Sequence, residues 1–589
     1  MKSEYIISDF AKAVQEKDRL AAKSHPDRWE AVPYETADVS GTLLIASEMT
    51  NPTPVTVCPA LDGWYRIYVC MLNAGGEYIC LHLTGDEFSS TVGAGKISRY
   101  TMWTPSEKAE ESFWKCADMT GKSLEISKPA TGIPYTANIL WLRFVPMTDE
   151  EVQAYQKRRD DLSRKTMFAH MDGDFHGRDH AQTDDDYCKA LYAMKDSDVG
   201  IVCQEVINDL IDYSTFEESY APRNAAYGQP RMDYCRRLSE NRETVYPKEI
   251  AYAHKHHMKL FAGHRMSLSE FAFPLEQPIF TLPFVAEHPE LRCKARDGRW
   301  IDFLSYGYTE TQDFMIGNIL ESARYGFDGV HLIFNRGLSL GFEAPVAERY
   351  RSKYGSAEDF YRLPQNDPKM TAVRTEIIAE FLGRLRNALA EYAFQNKKEP
   401  MKVYITAYYT EEDSLFDGLD MEYFAKNGLI DGFVQTKMRV WEEYEDVLAD
   451  DGLIDLEKYV AKANTEYVIK REHSSNMERM VSGVARYREI SDRFGVDFYT
   501  EIQWENATTP EAYVKVTKAI YEQGGKAIAL WDCYPVRVCN LAEWSATAYL
   551  GDSAEAINAP TDSESYHKII KILSYNGKDV RYYSPSWRG

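Results

Sequence analysis

From residue 166 onward, short apolar runs alternate with helical stretches, and this alternation constrains the fold more than any other feature. Eight runs read as strands. They are TMFAHMD (Thr166–Asp172), VGIVCQE (Val199–Glu205), KLFAGHR (Lys259–Arg265), GVHLIFN (Gly329–Asn335), KVYITAYY (Lys402–Tyr409), DGFVQT (Asp431–Thr436), DFYTEIQ (Asp497–Gln503) and KAIALWD (Lys526–Asp532). The helical pattern is clearest at Thr309–Gly326, Thr371–Tyr392 and Thr509–Gly525, the last with a Thr cap, Pro510 in the first turn and Gly524 at the stop. Strands separated by helices pair in parallel, because a parallel neighbour needs a long crossover. Eight such units predict an α/β fold, a (β/α)8 TIM barrel. No GxGxxG or Walker loop follows any strand, so the phosphate-cradling features of an open doubly wound sheet are missing.

Residues 1–147 have a different texture. GTLLIASEM, GWYRIYVCML, EYICLHLTG and ANILWLRFVPM are short, β-branched and aromatic, with Gly, Pro, Asn and Asp turns between them. This spacing predicts an N-terminal β-sandwich, with packing, dimerisation or glycan binding as its role. TDEEVQAYQKRRDDLSRK (148–165) is a charged helical connector opening on a Thr cap and an acidic first turn. The predicted domains are therefore the sandwich at 1–147, the connector at 148–165 and the barrel at 166–589.

A net charge of −23 disfavours nucleic acid or an anionic membrane as partner. The start, MKSEYIISDFAKAVQEKDR, has no apolar leader, and ten cysteines are scattered without framework spacing. These features predict a cytoplasmic protein. The 40 Tyr and 11 Trp lean toward carbohydrate, since aromatic rings give sugars an apolar platform with a polar edge.

In barrels of this kind the C-terminal strand ends carry the chemistry. The first run leads into HMDGDFHGRDH, with His170, Asp172 and Asp174 on one parity. The second ends Gln204–Glu205 and the third His264–Arg265. The fourth, in DGVHLIFNRG, puts His331, Ile333 and Asn335 on one face, with Arg336 at the rim and Glu343 in the loop. Tyr408 ends the fifth, Glu501 and Gln503 share a face of the seventh, and Trp531–Asp532 close the eighth. Two chemistries compete. Glycoside hydrolysis needs two carboxyls flanking the scissile bond, about 5 Å apart for retention and about 6.5–9.5 Å for inversion. Metal-assisted hydrolysis could use His170, Asp172, Asp174, His176 and His180, although the spacing lacks an HxH strand ending with distant partners. A non-catalytic carbohydrate-binding barrel is the third reading.

The strings DGVHLIFNRGLSLGFEAPVAERYRSKYG and LPQNDPKMTAVRTEIIAEFLGRLR, with HPELRCKARDGRWIDFLSYGY and LDMEYFAKNGLIDGFV, resemble a family. It is the uncharacterised family-ten-like bacterial glycosylhydrolases, TIM-barrel proteins with a leading β-sandwich. The resemblance spans most of 150–540 and implies a glycosidase acting on a small oligosaccharide or glycoside. Relatives carry an acid within DGxxLDxxR of the fourth strand, where this chain has Ile333. The acid work then falls to Glu501 and Asp172, with Asp174 and Glu343 as rivals. His170, His264, Arg265, His331, Asn335, Arg336, Tyr408, Gln503, Trp531 and Asp532 are expected to bind substrate. No metal or cofactor is assigned, the expected partner is carbohydrate, and homo-oligomerisation is left open.

Overall fold

A computed structural model describes residues 3–47, 49–72, 78–94, 108–129, 136–171, 183–206, 228–266, 284, 287–294, 296, 298, 300–334, 340–356, 360–363, 367–436, 481–502, 509–531 and 533–579. All eight runs form strands: β1 Met167–Met171, β2 Val199–Glu205, β3 Lys259–Arg265, β4 Gly329–Ile333, β5 Lys402–Tyr408, β6 Gly432–Thr436, β7 Asp497–Ile502 and β8 Ile528–Leu530. Each pairs in parallel with the next, and β8 pairs back onto β1 to close the barrel.

Period two sorts the side chains of each strand. Phe168, Ile201, Phe261, Tyr404, Val434 and Tyr499 fill the lower interior. Their alternate neighbours, such as Ala169, Val202, Leu260 and Phe433, pack outward against the helices. Gly329 opens β4 because a Cβ there would lie 2.5 Å from the Phe261 ring. Helices Thr309–Tyr325 and Pro368–Asn396 lead into β4 and β5, and the first stops at Gly326, whose φ of 98° suits glycine. The connector helix is Asp149–Asp160, with Thr148 and Glu151 forming a reciprocal capping box.

The chain before the connector supplies eight strands of a ten-stranded, mainly antiparallel sheet and all four strands of a second sheet. They share one apolar core, with Ile67 and Val69 from the first and Ile79, Leu81 and Leu124 from the second. The run Ala137–Met147 is two strands rather than one. Ala137–Ile139 pairs with Ser40–Ala46, and Trp141–Pro146 pairs with Trp64–Leu72. The switch falls at Leu140, whose N–H donates to the Cys70 carbonyl.

The end of the chain departs from the expected division. Residues His567–Tyr575, grouped with the barrel in the sequence reading, form a strand of the ten-stranded sheet. It lies between Lys108–Asp118 and Trp29–Thr36, antiparallel to both. His567 anchors it, with Nδ1 3.2 Å from the buried Glu110 carboxylate and Nε2 2.6 Å from the Ser563 hydroxyl. Burial works against the charged ring, but Glu110, with Glu511 adding to it, raises the His567 pKa above its ordinary value. A raised histidine contributes stability that is fully present below the unfolded value of about 6.5 and is lost as pH rises through the folded one. The melting-temperature gap between wild type and His567→Gln should therefore narrow on passing from acid to alkaline pH. A gap independent of pH would remove the ion pair from the account.

Among the described residues, no helix is long and apolar enough to cross a membrane, and nine cysteines are free.

Candidate active site

Above the apolar layer, the inward positions at the C-terminal ends of the strands turn polar. Period two brings His170 of β1, Glu205 of β2, Arg265 of β3, His331 of β4, Thr406 of β5, Thr436 of β6 and Glu501 of β7 to this level. Trp531, directly after β8, completes it. These groups contact one another. Arg265 Nη2 pairs with Glu205 Oε1 at 2.8 Å, and His170 Nε2 stands 3.7 Å from the same oxygen. The Thr436 hydroxyl donates to Glu501 Oε1 at 2.6 Å, and Glu501 is 1% exposed. The His170 and Trp531 rings stack with centroids 3.7 Å apart, and the Arg265 guanidinium lies 5.7 Å from the indole.

Two carboxylates thus enter this layer, Glu205 and Glu501. Cys203 lies two residues before Glu205 on β2, and its thiol is pushed well up by burial first and then by the charges of Glu205 and Glu501. A thiol so raised is protonated at neutral pH and not a nucleophile. Its sulfur lies 3.8 Å from His331 Nδ1, and His331 Nε2 lies 3.4 Å from the Thr406 hydroxyl. Burial pushes the His331 pKa down to about 3, so the ring is neutral and works as a hydrogen-bonding group rather than as a cation.

Several expected site residues take other places. His264 shares the outward parity of β3. Its Nε2 meets the Ser322 hydroxyl of helix Thr309–Tyr325 at 3.0 Å, and burial holds its pKa near about 3. Alternation from the inward Phe261 predicts this placement, so only Arg265 of the pair reaches the interior. Glu343 is buried, but outside this layer. Its carboxylate accepts from the backbone N–H of Lys294 and of Gly341, each at 3.0 Å, and from the Ser305 hydroxyl. It fastens the hairpin of Arg292–Lys294 and Trp300–Leu304 to the loop after β4. The Tyr408 hydroxyl is taken up by the Phe334 carbonyl at 2.6 Å and the Asp417 carboxylate at 2.8 Å. Asp417 itself is pushed up to about 6 by burial, against the pull of Tyr408 and Arg374. Trp531 is buried, with His170 covering one face, so that face is closed to a sugar.

Asp172, Asp174, Asn335, Arg336, Gln503 and Asp532 lie outside the described residues, as do His176 and His180. Among the described residues, no three His, Cys, Asp or Glu side chains gather as a metal site. Ile333 is fully buried at the end of β4, and its side chain reaches toward Gly263.

No family model matches the chain, and no curated protein matches it. Among solved structures it is similar to the glycoside hydrolase domain of PgaB (BpsB) from Bordetella bronchiseptica, at 11% identity over 64% of this chain and 99% of that one, with a TM-score of 0.40. It is also similar to the α-galactosidase TtGalA of Thermus thermophilus, at 11% identity over 90% and 95%, with a TM-score of 0.32. A third is the N-terminal endo-1,4-β-D-xylanase 10B of Clostridium thermocellum, at 12% identity over 91% and 94%, with a TM-score of 0.28. All three scores fall below 0.5, so the function of the site is argued from its own geometry.

Proposed function

We propose that the protein is a glycoside hydrolase that cleaves a small oligosaccharide or glycoside with Glu205 and Glu501. One observation carries this reading: two carboxylates on separate strands enter one polar layer at the C-terminal end of a closed barrel. Glu205, with Arg265 as counter-ion, suits the partner that works as a carboxylate, the base or nucleophile. Glu501, buried beside a neutral hydroxyl, suits the proton donor. His170 and Arg265 would hold substrate hydroxyls. Asp172 and Asp174 belong to the proposal as further acids, with Asn335, Arg336, Gln503 and Asp532 as binding groups.

In this reading the barrel is a TIM barrel and the antiparallel sheets form a β-sandwich accessory domain. The connector stays at 148–165, and the strand His567–Tyr575 is lent back to the sandwich. The nine free cysteines fit a reducing, cytoplasmic setting.

A specific observation favours a second reading, the non-catalytic carbohydrate-binding barrel. The strand-4 position for an acid is apolar at Ile333, and Glu205 is already ion-paired. A panel of nitrophenyl glycosides and natural oligosaccharides, run with and without EDTA, separates the two. Turnover that survives chelation and is lost in Glu205→Gln supports the carboxylate mechanism. Turnover unchanged in Glu205→Gln would exclude that residue, and saturable binding without turnover would favour the binding barrel. Turnover lost with EDTA and restored by metal would move the site toward His170–His180.

A further inference from the structure

Arg537 is fully buried in the turn Cys533–Arg537 that follows β8. Its Nε donates to the Trp531 carbonyl at 2.6 Å and its Nη2 to the Ile502 carbonyl at 3.2 Å. Nη1 donates to the Tyr513 hydroxyl, the guanidinium lies 4.8 Å from the Tyr513 ring, and Glu543 supplies a carboxylate 3.9 Å away. Ile502 directly follows Glu501, and Trp531 carries the ring stacked on His170. One planar cation therefore spans the ends of two strands that deliver site residues. A planar fork can reach two carbonyls at once, which an ammonium on a flexible stem does poorly. Burying such a charge is costly unless its donors are satisfied, so a turn with no further task has little reason to hold one.

The same segment then docks on the other half of the molecule. The Cys539 carbonyl accepts from Gly93 N at 2.6 Å, and Asn540 forms an isolated bridge to Gly93, the last residue of strand Ser90–Gly93. Leu541 is buried in the core between the antiparallel sheets.

We propose that Arg537 is a positioning residue: it sets the ends of β7 and β8, and residues 531–541 couple the seating of the antiparallel sheets to the mouth of the barrel. The proposal rests on reading that mouth as the active site. Its test needs no substrate. Trp531 emission is isolated as the difference between each protein and its Trp531→Phe counterpart, and its access to acrylamide is measured. In wild type Trp531 should be shielded, since the ring is buried against His170. In Arg537→Lys and Arg537→Met its emission should shift to longer wavelength and become quenchable, with far-UV circular dichroism unchanged. Leu541→Ala should produce the same shift from the far side of the coupling. A folded Arg537 variant with a lower melting temperature and an unaltered Trp531 signal would reduce the residue to a structural one and overturn the proposal. If the Arg537 variants do not fold, Tyr513→Phe and Leu541→Ala give the same reading, and an unaltered signal in both overturns it. A protein without glycosidase activity would sink the proposed function and leave this result as it stands.

Discussion

Replacing Glu501 by Gln is expected to cut turnover by about 10²–10⁴-fold while leaving the fold in place. The amide keeps the shape of the side chain and an oxygen that can accept from Thr436, so the buried hydroxyl retains its partner. What disappears is the capacity to give or take a proton. The measurement pairs kcat on a glycoside that wild type accepts with the unfolding midpoint of both proteins. A large loss of kcat at an unchanged midpoint assigns Glu501 to the chemistry. Wild-type rates would remove it from the mechanism, and a fall in both quantities would make the Thr436–Glu501 contact structural.

The second large effect concerns a carboxylate that does no chemistry in this reading. Glu343→Ala should destabilise the protein by about 3 kcal/mol or more, since each buried donor left without its acceptor costs about 1–3 kcal/mol. The N–H groups of Lys294 and Gly341 and the Ser305 hydroxyl would lose their shared acceptor. Close packing leaves little room for repair, since even a Cβ on Gly341 would come within 2.8 Å of the Glu343 carboxylate. Denaturant unfolding reads the loss. A variant that keeps its stability but loses turnover would return Glu343 to the list of catalytic acids.

The barrel was legible in the sequence because each strand carries its own signal. The runs are short, apolar and bounded by helical patterns, and all eight form strands at their expected places. Period two puts Glu501 on the parity of Tyr499, which packs in the barrel interior, and Ile502 on the other, which packs with the residues under the helices. Other features needed three dimensions. Glu205 stood in view at the end of its run, but nothing local shows that Arg265, four residues beyond Phe261 on the next strand, would reach it. Thr436 gave no signal of its own, since a threonine ending a strand is ordinary by composition, and its worth lies in the Glu501 oxygen beside it. Glu343 was ambiguous because a loop acid before a helix looks the same whether it faces a ligand or three protein donors. The split of Ala137–Met147 was hidden because neither Gly nor Pro interrupts the run at Leu140, where only the change of pairing partner marks the boundary.

The strand His567–Tyr575 has a consequence for how the polypeptide matures on the ribosome. Synthesis proceeds from the N-terminus at about 5–20 residues per second, and the first domain to emerge ordinarily folds first. Here the ten-stranded sheet cannot be completed until His567–Tyr575 has been made, because the slot between Lys108–Asp118 and Trp29–Thr36 is filled from beyond the barrel. Until then two strand edges stand open, each a template for pairing with another nascent chain. The entire barrel must be translated while that gap waits, so premature termination anywhere after the connector would release a product with an unfilled sheet. For the same reason, a protein cut at residue 165 would leave its N-terminal fragment without the strand that fills its sheet.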